Sequence, residues 1–154
     1  MNRVEINAEE VPLPPWTEEL ENFVLRVLDV LGKENWDLSV LLCGGPYMRS
    51  LNFRYRGRDE GTDVLSFGMG ETVEEGGELR YLGGDIVISL PALEENARYF
   101  ETAEDEELRR LLIHGILHLD GMDHKTSDGT EPMLCLQEKI LTDLAGTRIL
   151  PEVP

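Results

Sequence analysis

Positive charge is what this sequence has least of. Fourteen Lys and Arg stand against 31 Asp and Glu, leaving a net charge of −17 over 154 residues. Taken alone, that balance argues against a polyanion as partner, because phosphates are repelled at long range. Cysteine is rarer: Cys43 lies in an apolar run and Cys135 in a helical pattern, and both read as buried thiols rather than a disulfide or metal ligands. No apolar run approaches the ~20 residues of a membrane-spanning helix. Met1 to Val11 carries four charges and no apolar block, which excludes a signal peptide there. These absences point to a cytoplasmic protein with no membrane partner. Histidine is the scarcest group that matters, with three in the chain, at positions 114, 118 and 124.

What is present is ordinary for a globular fold. Hydrophobic residues make up 41% of the chain, and 154 residues suit one domain with a real core. We therefore expect a single domain over 1–154. Val4 and Ile6 alternate with polar neighbours as a first strand. Thr17 is placed to cap a helix whose core stripe is Leu20, Phe23, Val24, Val27, Leu28 and Leu31, ended by Gly32. Trp36 to Cys43 reads as a buried strand. Gly44-Gly45-Pro46 leads into a short helix that Gly57 stops, with Met48, Leu51, Asn52 and Tyr55 on one face. Thr62 to Phe67 is a strand, Met69 to Arg80 an acidic loop expected to be solvated and mobile, and Tyr81 to Leu90 a strand. Helices follow from Pro91 to about Phe100, through the histidine segment, and from about Glu131 to Leu144, before a tail with apolar Ile149, Leu150 and Val153. The order predicts an α/β (α+β) domain, a mixed four-stranded sheet covered by about five helices.

The segment His114-Gly115-Ile116-Leu117-His118-Leu119-Asp120-Gly121-Met122-Asp123-His124 holds every histidine. Leu108, Leu111, Leu112 and Leu117 recur at helical spacing, so His114 and His118 sit one turn apart, their directions differing by only ~40°. On a continued helix His124 would lie ~15 Å along the axis from His114, too far for one ion. The helix must therefore stop and the chain reverse, and Gly121 stands where a left-handed residue does that. Three imidazoles with one coordination position free are the pattern of a catalytic zinc rather than a structural one; iron, nickel and copper also accept nitrogen ligands. The spacing equals the ligand part of H-E-x-x-H-x-x-G-x-x-H. However, the position of the peptidase's general base holds Gly115, which moves no proton. Asp123 either orients an imidazole from behind or caps the turn, and Asp120 is expected to be exposed. The single basic concentration is Arg49, Arg54, Arg56 and Arg58, with no acid among residues 49–58.

Three motifs in order make the chain resemble the YbeY family of ribosomal-RNA maturation endoribonucleases. The first is Leu51-Asn52, Tyr55-Arg56-Gly57, Asp59 and Thr62-Asp63-Val64-Leu65-Ser66-Phe67. The second is Leu82-Gly83-Gly84-Asp85-Ile86-Val87-Ile88, with one glycine repeated, and the third is the histidine segment. Gly61, Gly68 and Met122 depart from the family pattern without removing a ligand. The resemblance implies one zinc held by His114, His118 and His124, and a cleft arginine, matching Arg56, needed for activity. It also implies single-strand-specific cleavage of RNA in the bacterial cytoplasm, in maturation of the 3′ end of 16S ribosomal RNA and in ribosome quality control. The implied partners are ribosomal RNA and the small subunit, with a small-subunit protein or an assembly GTPase. Arg54 and Arg58 are candidates for steering phosphates, against the reading that they are solvated charges, and for Arg56 the rival reading is an ion pair with Asp59 or Glu60. Two other functions stay open: a zinc metallopeptidase-like hydrolase on a non-nucleic substrate, and a non-catalytic ribosome assembly factor.

Overall fold

Period-two burial marks the first two strands of the sheet, and 3.6-residue stripes make its cover. The computed structural model describes residues 1–152 and contains, in chain order, β1 (Arg3–Glu9), α1 (Thr17–Val30), β2 (Trp36–Cys43), α2 (Gly45–Arg56), β3 (Val64–Glu75), β4 (Glu78–Ser89), α3 (Leu90–Tyr99), α4 (Glu104–Leu119) and α5 (Pro132–Asp143). The sheet order is β1-β2-β4-β3. β1, β2 and β4 run parallel and β3 is antiparallel to β4, the expected mixed four-stranded sheet with five helices.

Alternation assigns the two faces. Trp36, Leu38, Val40 and Leu42 of β2, with Ile86 and Ile88 of β4, enter the main core, where α1 contributes Leu20, Phe23, Val24, Val27 and Leu28 and α4 contributes Leu108, Leu112, Ile113, Ile116 and Leu117. The residues between them, Cys43 and Val87, face the other way with Leu65 and meet Met48 of α2 in a smaller cluster. α4 lies against β3 and β4, and α5 packs on α4. Gly115 makes the close approach of α4 possible, since a Cβ there would stand 2.9 Å from Ile86 Cγ2.

Several expectations need correction. Met69 to Arg80 is not a loop: β3 and β4 stay paired out to Glu75 opposite Glu78. The turn between them is Gly76-Gly77, both with positive φ (57° and 84°), as a two-residue hairpin turn requires. Its glutamates are solvated as expected; backbone pairing and turn chemistry make the ribbon without an apolar face. Thr17 begins α1 rather than capping it, and Trp16 takes the cap position with no side-chain bond. Cys43 is buried, but Cys135 is exposed. It lies two residues, about 200° of helix, from Gln137 in the inward stripe Met133, Gln137, Ile140 and Leu141. Asp120 is half-buried and pairs with Lys33 at 2.8 Å. In the tail, the Ile149 and Leu150 amides donate to the buried Asp105 carboxylate at 2.7 and 2.8 Å, while Val153 lies outside the described residues.

Candidate metal centre

α4 delivers two of the three imidazoles by its own periodicity, and its last turn delivers the third. Asp120 closes the helix. The Gly121 amide then donates to His118 O and the Met122 amide to Leu117 O, both at 3.0 Å. This pair of bonds is the Schellman ending, with Gly121 at φ 89°. Met122 packs back on the core, the apolar contact that accompanies such an ending. The chain so reversed brings His124 to the other two, and the ligand atoms of His114, His118 and His124 all lie within 4.8 Å of one another.

The outer nitrogen of each ring is occupied. Nδ1 of His114 lies 2.7 Å from Gln137 Oε1, that of His118 3.1 Å from Met122 O, and that of His124 2.8 Å from Thr126 O. All three partners are oxygens that accept, so each Nδ1 carries a proton, and in the neutral ring Nε2 keeps its lone pair. Nε2 of His114 and Nε2 of His118 are nevertheless 3.1 Å apart. With no proton between them this is a contact of two lone pairs. It is close to the ~3.3 Å that separates two nitrogens bound at ~2.05 Å to one tetrahedral ion. The donor set therefore fits a metal cation. Burial, the largest cause for both, holds His114 and His118 below the ordinary imidazole pKa. For His118 the neighbouring His114 adds to it, whereas the Gln137 bond opposes it at His114. Both rings are thus neutral, ligand-ready groups near pH 7.

His114 and His118 line a cavity of about 490 Å³ whose wall also includes Arg56 of α2, Ser66 of β3 and Asp123. Arg56 donates from Nη2 to Ser66 O at 3.1 Å and lies over the Phe67 ring, 5.8 Å from its centroid. The acids expected to compete for it are engaged elsewhere, Asp59 by Arg49 (2.8 Å) and Glu60 by Arg58 (3.6 Å). Neither Arg54 nor Arg58 borders this cavity. Arg54 is two residues from Arg56, so it points to the opposite side of α2 and lies over Tyr55; Arg58 is past the helix end. The basic cluster in sequence is therefore not a cluster at the site, and Arg56 alone reaches it. Asp123 borders the cavity, and its Oδ1 accepts from the His124 amide at 2.8 Å, so it shapes the turn and makes no bond to an imidazole.

Gln137 escaped the sequence reading. Its signal was there: a polar residue in the inward stripe of α5, 7% exposed, needs a partner, because an unsatisfied buried amide is costly. The carbonyls of Met122 and Thr126 carry no such signal, since a backbone acceptor is the same at every residue.

The family model described as Endoribonuclease YbeY matches residues 3–145. Among relatives, the Endoribonuclease YbeY of Treponema denticola is 49% identical over 131 residues, 84% of each chain. That of Treponema pallidum strain Nichols is 46% identical over 142 residues, covering 92% of this chain and 89% of the relative. That of Borrelia turicatae is 43% identical over 147 residues, covering 93% and 97%. Among solved structures, the solution structure of TM1509 from Thermotoga maritima matches with a TM-score of 0.62 and 32% identity, covering 93% of this chain and 89% of the other.

Proposed function

We propose, from the premise that this chain belongs to the YbeY family of endoribonucleases, that it is a metal-dependent hydrolase of RNA phosphodiester bonds acting in ribosomal-RNA processing. The observation that carries the reading is the convergence of three imidazoles, each with Nδ1 bonded outward, two of which, His114 and His118, line the cavity that Arg56 also borders. Nitrogen donors in this number suit zinc with one coordination position open, and zinc is the ion we assign, one per chain. His114, His118 and His124 would hold it, and when bound it supplies Lewis acidity toward a phosphoryl oxygen or a water.

The protein's own part is positional. Arg56, steadied by Ser66 O and the Phe67 face, presents a planar fork to the charge that grows on phosphorus. Gln137 and the Met122 and Thr126 carbonyls keep the imidazoles in the ligand-ready tautomer. The peptidase alternative finds no support. A carboxylate at 115 would have to displace Ile86, 2.9 Å from the Cβ position, and Arg56 would have no role. Nothing in the cavity favours a purely structural assembly role.

Within that reading, the substrate is single-stranded RNA at the 3′ end of 16S ribosomal RNA, met in the bacterial cytoplasm. A chain at −17 meets free RNA poorly. We therefore assign part of the positive surface to the small ribosomal subunit, one of its proteins or an assembly GTPase. The test is cleavage of a structured-RNA panel and a peptide panel, with and without chelator, by wild type, Arg56→Ala and His114→Ala. RNA cleavage lost with chelator and in both variants is expected. Wild-type support of ribosome maturation in cells by a folded His114→Ala protein that cleaves no RNA would return the weight to the assembly-factor reading.

A further inference from the structure

Behind Gln137 the hydrogen bonds continue. Its Nε2 donates to Glu138 Oε2 at 3.1 Å. Arg110 of α4 grips the same carboxylate with two prongs, Nε to Oε2 at 3.0 Å and Nη2 to Oε1 at 3.1 Å. Nη1 of Arg110 reaches back to Glu107 Oε2 at 3.1 Å, and Glu107 is buried. The chain thus runs from a partly buried ion pair on α4, across to α5, and returns to α4 at His114. Every direction along it is forced. Guanidinium only donates and a carboxylate only accepts, so the end of the Gln137 amide next to Glu138 must be NH₂, and the end next to His114 must be the oxygen.

That polarity has a chemical consequence. A Gln amide turns over by rotation about one bond, and its two ends are nearly alike in shape. With oxygen toward His114, Nδ1 carries the proton and Nε2 keeps its lone pair for a metal. With NH₂ toward His114, Nδ1 must accept and the proton moves to Nε2, which blocks coordination. We infer that Glu138, held by Arg110, is a positioning residue of the metal centre: it sets the orientation of the Gln137 amide and thereby the metal-binding tautomer of His114. This inference rests on the metal reading above for its consequence, but the tautomer it assigns exists with or without an ion.

Two measurements separate these layers. Imidazole ¹⁵N–¹H correlation spectra of the metal-free full chain report which nitrogen of His114 is protonated, and competition with a chelating dye reports affinity for zinc. Wild type should show Nδ1–H. Glu138→Ala should raise the Nε2–H population of His114, leave the tautomers of His118 and His124 unchanged, and weaken zinc binding about 10-fold. Gln137→Met should weaken it more, toward about 100-fold. Glu138→Gln keeps an acceptor oxygen and should restore most of both readouts. Arg110→Met frees the Glu138 carboxylate and should fall between Glu138→Gln and Glu138→Ala, and it reads the same contact if Glu138→Ala fails to fold. An unchanged His114 tautomer in folded Glu138→Ala or, where that variant does not fold, in Arg110→Met overturns the inference. Zinc failing to bind a wild type that shows the expected tautomers overturns the metal reading and leaves the orientation of Gln137 by Glu138 standing.

Discussion

Two polar clusters of this fold are built on opposite logic. In one, Asp37 accepts from Arg3 at 2.7 and 2.8 Å and from buried Arg80 at 2.8 Å, Arg3 also grips Glu75 at 2.8 Å, and Arg80 donates to Met1 O at 2.8 Å. The hydrogen bonds of Arg3, first in effect, and those of Arg80 hold the Asp37 carboxyl well below the usual carboxylate range. Every charge meets its opposite, so the cluster ties β1, β2 and the turn end of the hairpin together and asks for nothing more. In the other, three imidazoles aim like ends at one another, and their Nδ1 nitrogens are turned away to Gln137, Met122 and Thr126. A set of convergent lone pairs is complete only with a cation between them. A self-satisfied cluster is a fastening; a set of donors turned on one point is a site.

The largest effect that tests this contrast is loss of a ligand. His118→Ala should abolish stoichiometric zinc, measured by metal analysis of the purified protein. Arg80→Ala should leave zinc in place and lower unfolding stability by about 3 kcal/mol, measured by denaturant titration. Zinc retained without His118 would erase the distinction. Next is Arg56. Arg56→Ala should reduce turnover by about 10²-fold, as loss of one preorganised donor does. Arg56→Lys should keep charge but lose the fork, cutting turnover more than binding in single-turnover assays.

Acid should separate the two clusters in sequence. The His114 and His118 values are lowered from an ordinary 6.5, so the folded state binds fewer protons there than the unfolded one. Their contribution is full above pH 6.5 and is lost, with zinc affinity, as pH falls below it. The Asp37 value is lowered from 3.8; its contribution is full above that pH and is lost only below it. Zinc release and unfolding followed by separate probes should therefore show two steps, the metal centre first.

A smaller effect should come from Gly121→Val. At φ 89° a side chain costs about 2 kcal/mol, and the strain falls on the turn that carries His124, so zinc affinity should drop while Arg3, Asp37 and Arg80 stay paired. Smallest are Arg54→Ala and Arg58→Ala. Standing outside the cavity, they should leave turnover at saturating RNA unchanged and alter the salt slope of RNA affinity by about 0.7 for each phosphate contact actually lost. A larger fall in turnover would place them closer to the chemistry than their positions allow.

The hairpin shows where reading a sequence goes astray. Its Gly76-Gly77 turn was legible as hairpin chemistry, yet a run of glutamates around it suggested solvated chain. Solvated side chains and paired backbone are compatible, because a ribbon needs turn geometry more than an apolar face. Cys135 and Asp120 misled for a related reason: the side of a helix a residue takes depends on the partner the helix meets.

What the sequence determined by itself is what a few consecutive residues decide. His114 and His118 share a helix face through spacing alone, Gly121 reverses the chain because glycine tolerates positive φ, and Gly115 leaves out the peptidase base. Together these specify three imidazoles turned toward one point. The tertiary structure alone decided which arginine of four reaches the cavity, that Gln137 stands behind His114, and that Arg3, Asp37 and Arg80 meet although 34 and 43 residues separate Asp37 from its two partners. Those outcomes depend on how α2, α5 and β3 settle as they bury their apolar faces on the sheet. Such packing is summed over the whole core, and a single residue, Gln137 included, can show that it needs a partner without naming which one.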